Sequence, residues 1–144
     1  MLSLQPMSEN MKDPFAKPME WQKYFREGSQ FLDLATKGAK NREKFDGEAL
    51  YNILAMAIEK HFMALFLYKN YMPEGHTLQD LLSAATQFVK VDMELIKGLT
   101  FMDSLQDICS VDDFIKKVPT DNEIEVMVKI AHRVKNCVEE ELYR

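Results

Sequence analysis

Few side chains in this sequence have the types and spacing to do chemistry, and they are scattered. The histidines are His61, His76 and His132, and the cysteines are Cys109 and Cys137. A zinc site needs four ligands, or three plus water. There is no Cys-x-x-Cys pair, and no histidine stands at ligand spacing from either cysteine, so neither a metal nor a cofactor is expected. Both cysteines read as reduced structural thiols, which fits a cytoplasmic protein.

The most suggestive polar types are Glu59 and Lys60, set with His61 in the middle of the apolar run from Ala49 to Tyr68. A carboxylate there is either satisfied by hydrogen bonds or by a neighbouring lysine, or it lines a pocket with Lys60 that accepts a nucleotide or a partner side chain. His61 reads as a helix-surface residue. His76 precedes a helix start, where it can donate to a carbonyl and fix the turn. It can also point at a phosphate on that helix N-terminus, whose free N–H groups and dipole attract anions. His132 reads as a solvated residue on the polar side of the last helix.

The elements that must carry these groups are helical almost throughout. A first helix opens at Pro18, buries Trp21, Phe25, Gly28, Leu32 and Ala35, and fades at Gly38. Trp21 and Phe25 read as core or dimer contacts. A second helix runs from about Asp46 to Tyr71 with a stripe of Leu50, Leu54, Ile58, Phe62 and Leu65. Apolar residues cover so much of its circumference that it reads as the central helix. Its polar exceptions, Asn52 and Glu59, share one side with Met56 between them.

Pro73 and Gly75 force a turn. Thr77 then caps a third helix, with Asp80 three residues on, whose buried side runs from Leu78 through Val89. Asp92 caps a fourth, with Leu95, Leu99 and Met102 inward. The pattern breaks between Cys109 and Pro119, which reads as a loop. Thr120 and Glu123 form the capping box of the last helix, which turns Ile124, Met127, Ala131, Val134 and Val138 inward. The fold class is therefore all-α: an up-and-down bundle of about five helices around a four-helix core.

Composition agrees. The chain has 144 residues, 47% of them hydrophobic, with five glycines and five prolines. That allows one domain with a real core and excludes an all-β or a disordered chain. Residues 1–17 are polar and aperiodic and are expected to form a flexible tail ahead of a bundle spanning 18–144. They lack the pattern of a signal peptide. Glu59-Lys60-His61 interrupts the one long apolar stretch, so no membrane partner is expected. The ten methionines suit irregular helix packing or an adaptable partner surface. With a net charge of −5 and no basic run beyond the Lys116-Lys117 pair, DNA is not an expected partner.

Three segments together resemble the HEPN family. The run from Ala57 to Phe66 resembles its central helix, which carries a glutamate-lysine pair, a second lysine and an alanine; His61 stands where relatives often have that lysine. The run from Met72 to Leu82 resembles the element that follows, a proline, then a histidine, then a leucine-rich helix start. Pro119 to Glu123 and the amphipathic helix behind them resemble its last helix. Order and spacing agree from about Tyr24 to Leu142.

The resemblance implies an up-and-down bundle that often dimerises and is often paired with a minimal nucleotidyltransferase in toxin–antitoxin arrangements. Some members are metal-independent ribonucleases that use an arginine followed four to six residues later by a histidine. Here Arg26, Arg42, Arg133 and Arg144 are not followed by histidine at that spacing, and His132-Arg133 is adjacent and reversed. The base and the phosphate-steadying cation of that chemistry are thereby both missing. The expectation is a non-catalytic binding or assembly module, a homodimer or the partner of a nucleotidyltransferase chain. The alternatives are a nucleotide-binding domain using Glu59, Lys60 and His76, or a divergent ribonuclease acting on RNA through the same residues.

Overall fold

The computed structural model describes residues 20–105 and 118–144. Pro18, the 1–17 tail, Cys109 and the Lys116-Lys117 pair lie outside the described residues. Five helices follow one another: α1 (Glu20–Gly38), α2 (Gly47–Tyr68), α3 (Leu78–Ala85), α4 (Met93–Ser104) and α5 (Asp121–Leu142). Among the described residues there is no strand.

The helix starts are written locally. Asp46, Thr77, Asp92 and Thr120 each sit in extended backbone and accept the N–H three residues on. Thr77–Asp80 and Thr120–Glu123 are complete capping boxes. Each such cap contributes about 1 kcal/mol by satisfying a first-turn donor.

The end of α2 comes earlier than the apolar pattern suggests, at Tyr68 rather than Tyr71. Asn70 takes a left-handed conformation, φ 56°. The Tyr71 N–H then reaches back to the Phe66 carbonyl at 2.8 Å, and the Asn70 N–H to Leu67 at 3.1 Å. This is a Schellman closure, in which asparagine is the commonest residue after glycine to take the strained position. The Tyr71 ring packs edge-on against Phe66, centroids 5.6 Å apart, and seals it. Likewise α3 stops at Ala85, so Phe88 and Val89 reach the core from the turn beyond it.

α2 is the hub. It packs on α1, α3 and α5, while α3 and α4 pair with each other and α4 leans on α5. Leu50, Leu54, Ile58, Phe62, Leu65 and Phe66 are almost wholly removed from solvent. By length and composition α2 could cross a bilayer, but most of that apolar window is buried inside the bundle. α1 runs antiparallel beside it. Trp21 meets Tyr68 edge-on at 5.3 Å at one end, and Gly38 abuts Leu50 at the other.

His61 corrects the sequence reading. It is not on the surface but fully buried between α2 and α1. Gly28 makes this fit, since a Cβ there would stand 3.1 Å from three atoms of the imidazole. The ring meets Phe25 edge-on, and its Nε2 shares a 3.2 Å hydrogen bond with Ser29 Oγ. Nδ1 has no partner of good hydrogen-bond geometry. Burial, with Lys135 and His132 adding positive charge nearby, pushes the histidine down to about 4, although the Ala57 carbonyl favours its proton.

Candidate functional site

The sequence-selected residues do not converge on one place. Glu59 and Lys60 are neighbours on α2, and a helix rotates successive side chains by roughly 100°. Lys60 therefore turns toward α1. Its Nζ lies 2.6 Å from Glu27 Oε1 and 5.0 Å from the centre of the Tyr24 ring. The lysine holds the Glu27 carboxyl below its ordinary range. Glu59 turns the other way, toward the turn before α3. There His76 Nδ1 lies 3.3 Å from Glu59 Oε2, with both side chains about half exposed. His76 thus faces a carboxylate rather than a backbone carbonyl.

Glu59 and His76 sit on an open groove of about 920 Å³ between α2, the start of α3 and the end of α4. Tyr51, Ala55 and Leu78 give it apolar walls. Its far side is organised by Asp103, near the end of α4, which the sequence reading did not single out. Asp103 Oδ1 accepts the Leu78 N–H at 3.2 Å and Oδ2 the Gln79 N–H at 2.8 Å. The Asp80 N–H goes to Thr77 Oγ1 at 3.0 Å. Tyr51 braces the same corner by donating to the Met102 carbonyl at 2.7 Å. Burial, helped by the Asp103 charge, pushes its phenol up to about 12.

The first-turn donors of α3 that could have greeted a phosphate are therefore already committed. Glu59, Asp80 and Asp103 put three carboxylates on the groove, and none of the described lining residues is lysine or arginine. Among the described lining residues a phosphate meets three carboxylates and neither a lysine nor an arginine.

Neither a protein-family model nor a curated protein matches this sequence. Solved structures do match its backbone. The archaeal protein ST0689, described as a HEPN homologue, superposes with a TM-score of 0.66 at 15% identity, over 85% of this chain and 97% of its own. A HEPN domain protein of Thermotoga maritima, TM0613, gives 0.66 at 18% identity, over 85% and 98%. The chain has the HEPN fold. The protein TT1696 from Thermus thermophilus superposes with a TM-score of 0.69 at 20% identity, over 85% of this chain and 98% of that one.

On this HEPN fold Arg42, His132 and Arg133 are each held by structural partners. Arg42 pairs with Asp121 and donates to the Phe45 carbonyl at 3.1 Å. Arg133 bridges Asp92 and Glu94, and so pins the start of α4 to α5. Its guanidinium helps hold the Asp92 carboxyl low, after the larger effect of the Leu95 N–H. His132 is exposed, as the sequence reading has it, and meets Thr36 Oγ1 at 3.2 Å. Arg133 and His132 thus serve different contacts and do not form a paired base and cation. Cys137 is a half-buried free thiol that donates to the Lys90 carbonyl. Burial and the nearby Glu140 push it up, away from thiolate reactivity. Among the described residues no group of histidine, cysteine and carboxylate side chains could hold a metal ion.

Proposed function

We propose that this chain is a non-catalytic binding and assembly module. It pairs with a second copy of itself or with a minimal nucleotidyltransferase chain, in the toxin–antitoxin manner that the HEPN resemblance implies. The observation that supports this is the outer face shared by α1 and α2. Their antiparallel register sets Phe31 and Leu34 of α1 alongside Ile53 and Met56 of α2, with Tyr24 and Met63 beyond the Glu27–Lys60 bridge. Leu34 is 43% and Met56 41% exposed. A run of large apolar side chains along two adjacent helices, broken by a single ion pair, suits burial against another protein.

The test is native mass spectrometry and light scattering on the purified chain, with capture from its own host lysate. The expected result is a doubled mass or a nucleotidyltransferase-sized second chain, lost when Leu34→Glu and Met56→Glu are combined. A chain that stays monomeric at high concentration and captures no such partner overturns the reading.

A further inference from the structure

We propose that the groove beside this face accepts basic side chains, and that the segment docking there is a basic amphipathic helix of a partner chain. This rests on the assembly reading and, for the groove, selects a second kind of chain over a second copy.

The open side of α2 leads directly into the groove. Met56 is exposed, and its helix neighbours Ala55 and Glu59 belong to the groove wall. One docked helix can therefore cover Met56 with an apolar residue and send its polar side chains toward Glu59. Leaving His76 aside, the charged side chains among the described lining residues have one sign. Glu59, Asp80 and Asp103 line the groove without a lysine or arginine among the described lining residues. The contrast is the cavity of about 430 Å³ between residues 86–90 and the end of α5. There Lys90 and Arg144 offset Glu140 and Glu141, so it selects no sign.

The groove carboxylates are also held in place before any partner arrives. Asp103 is fixed by two backbone N–H groups, Asp80 by its capping box, and Glu59 leans on His76. A carboxylate oxygen that accepts one hydrogen bond retains a lone pair for another. Fixed acceptors beside the apolar walls of Tyr51, Ala55 and Leu78 suit the long stem and cationic head of arginine or lysine. The chain's own net charge of −5 adds long-range attraction for such a segment.

The test uses the full chain labelled with ¹⁵N and two helical peptides of equal length. One is built of leucine and arginine, the other of leucine and glutamate. The expected result is binding of the arginine peptide alone, with amide shifts at Glu59, Gln79 and Thr100. Binding weakens as salt rises, and on the order of tenfold in Glu59→Lys, where a like charge meets the peptide. Thr100→Arg, at an exposed position on the groove, places a tethered cation there and weakens binding similarly if both variants keep the wild-type circular dichroism. Equal binding of the two peptides, binding of neither at millimolar concentration, or shifts that map elsewhere overturn the proposal. Oligomeric state and lysate capture are measured on the same preparation. A chain that assembles but ignores the arginine peptide sinks this proposal alone. A chain that takes the peptide in the groove but neither self-associates nor captures a partner sinks the assembly reading.

Discussion

The Asp103 carboxylate accepts the backbone N–H of Gln79 at 2.8 Å and that of Leu78 at 3.2 Å, so the end of α4 caps the start of α3. A helix of eight residues has little stability of its own. Much of its order must come from its ends and from the apolar side that packs inward.

Asp103→Ala leaves two first-turn donors of α3 without their partner. The expected loss is about 1–2 kcal/mol in urea unfolding, with Asp103→Asn intermediate because the amide oxygen can still accept. Hydrogen exchange should show the loss first in the α3 amides. Unchanged exchange there would mean that Asp103 is a bystander and that packing alone holds α3.

Acid should loosen the bundle through His61. Its folded value of about 4 lies below the ordinary 6.5, so below 6.5 the unfolded chain binds the proton and the folded chain does not. Stability from this group is complete above about pH 6.5, falls as pH drops toward 4, and levels off below it. The full loss is on the order of 3 kcal/mol. His61→Leu, which removes the orphaned Nδ1, should flatten that part of the pH–stability curve while costing little at pH 7. A His61→Leu curve that runs parallel to the wild type between pH 6.5 and 4 assigns the acid sensitivity elsewhere.

Gly98 is where α4 approaches α5. A Cβ there would fall 2.6 Å from Ile130 Cδ1 and 2.7 Å from its Cγ1. Alanine gains about 1 kcal/mol in helix propensity over glycine, but overpacking a closed contact costs roughly 1–3 kcal/mol. The net expectation for Gly98→Ala is destabilisation. Combined with Ile130→Ala it should cost less than the sum of the two single changes, because the new methyl enters the space the isoleucine leaves. Strict additivity would show that the helices do not press on one another here.

RNA and nucleotides should leave the protein indifferent. A base must sit within reach of its proton, with a cation beside the phosphate, and His76 is flanked instead by Glu59 and by two further carboxylates across the groove. The expected outcome is no RNA cleavage above background for the wild type or for His76→Ala. No rise in melting temperature is expected with millimolar ATP or GTP. Cleavage that His76→Ala abolishes would restore the divergent ribonuclease, and a clear thermal shift with ATP would restore the nucleotide-binding reading.

The helices and most of their starts are legible in the chain alone, because those signals act over three or four residues. Thr77 with Asp80 and Thr120 with Glu123 are capping boxes in the sequence and in the structure alike. The buried stripe of α2 from Leu50 to Leu65 was legible for the same reason. Asn70 as a helix stop was also written there, but the apolar Tyr71 and Met72 beyond it masked the signal.

Which way the polar residues of α2 face was settled by packing and by nothing local. On a helix apolar around most of its circumference, periodicity does not say which remaining side meets water. Glu59 therefore opens onto the groove, Lys60 crosses to Glu27 at a separation of 33 residues, and His61 is buried against Gly28. The capping of α3 by Asp103 spans 24 residues, so no local pattern announces it. These choices belong to the packing of whole helices against one another, which fixes the site's shape and charge only after every local signal has been used.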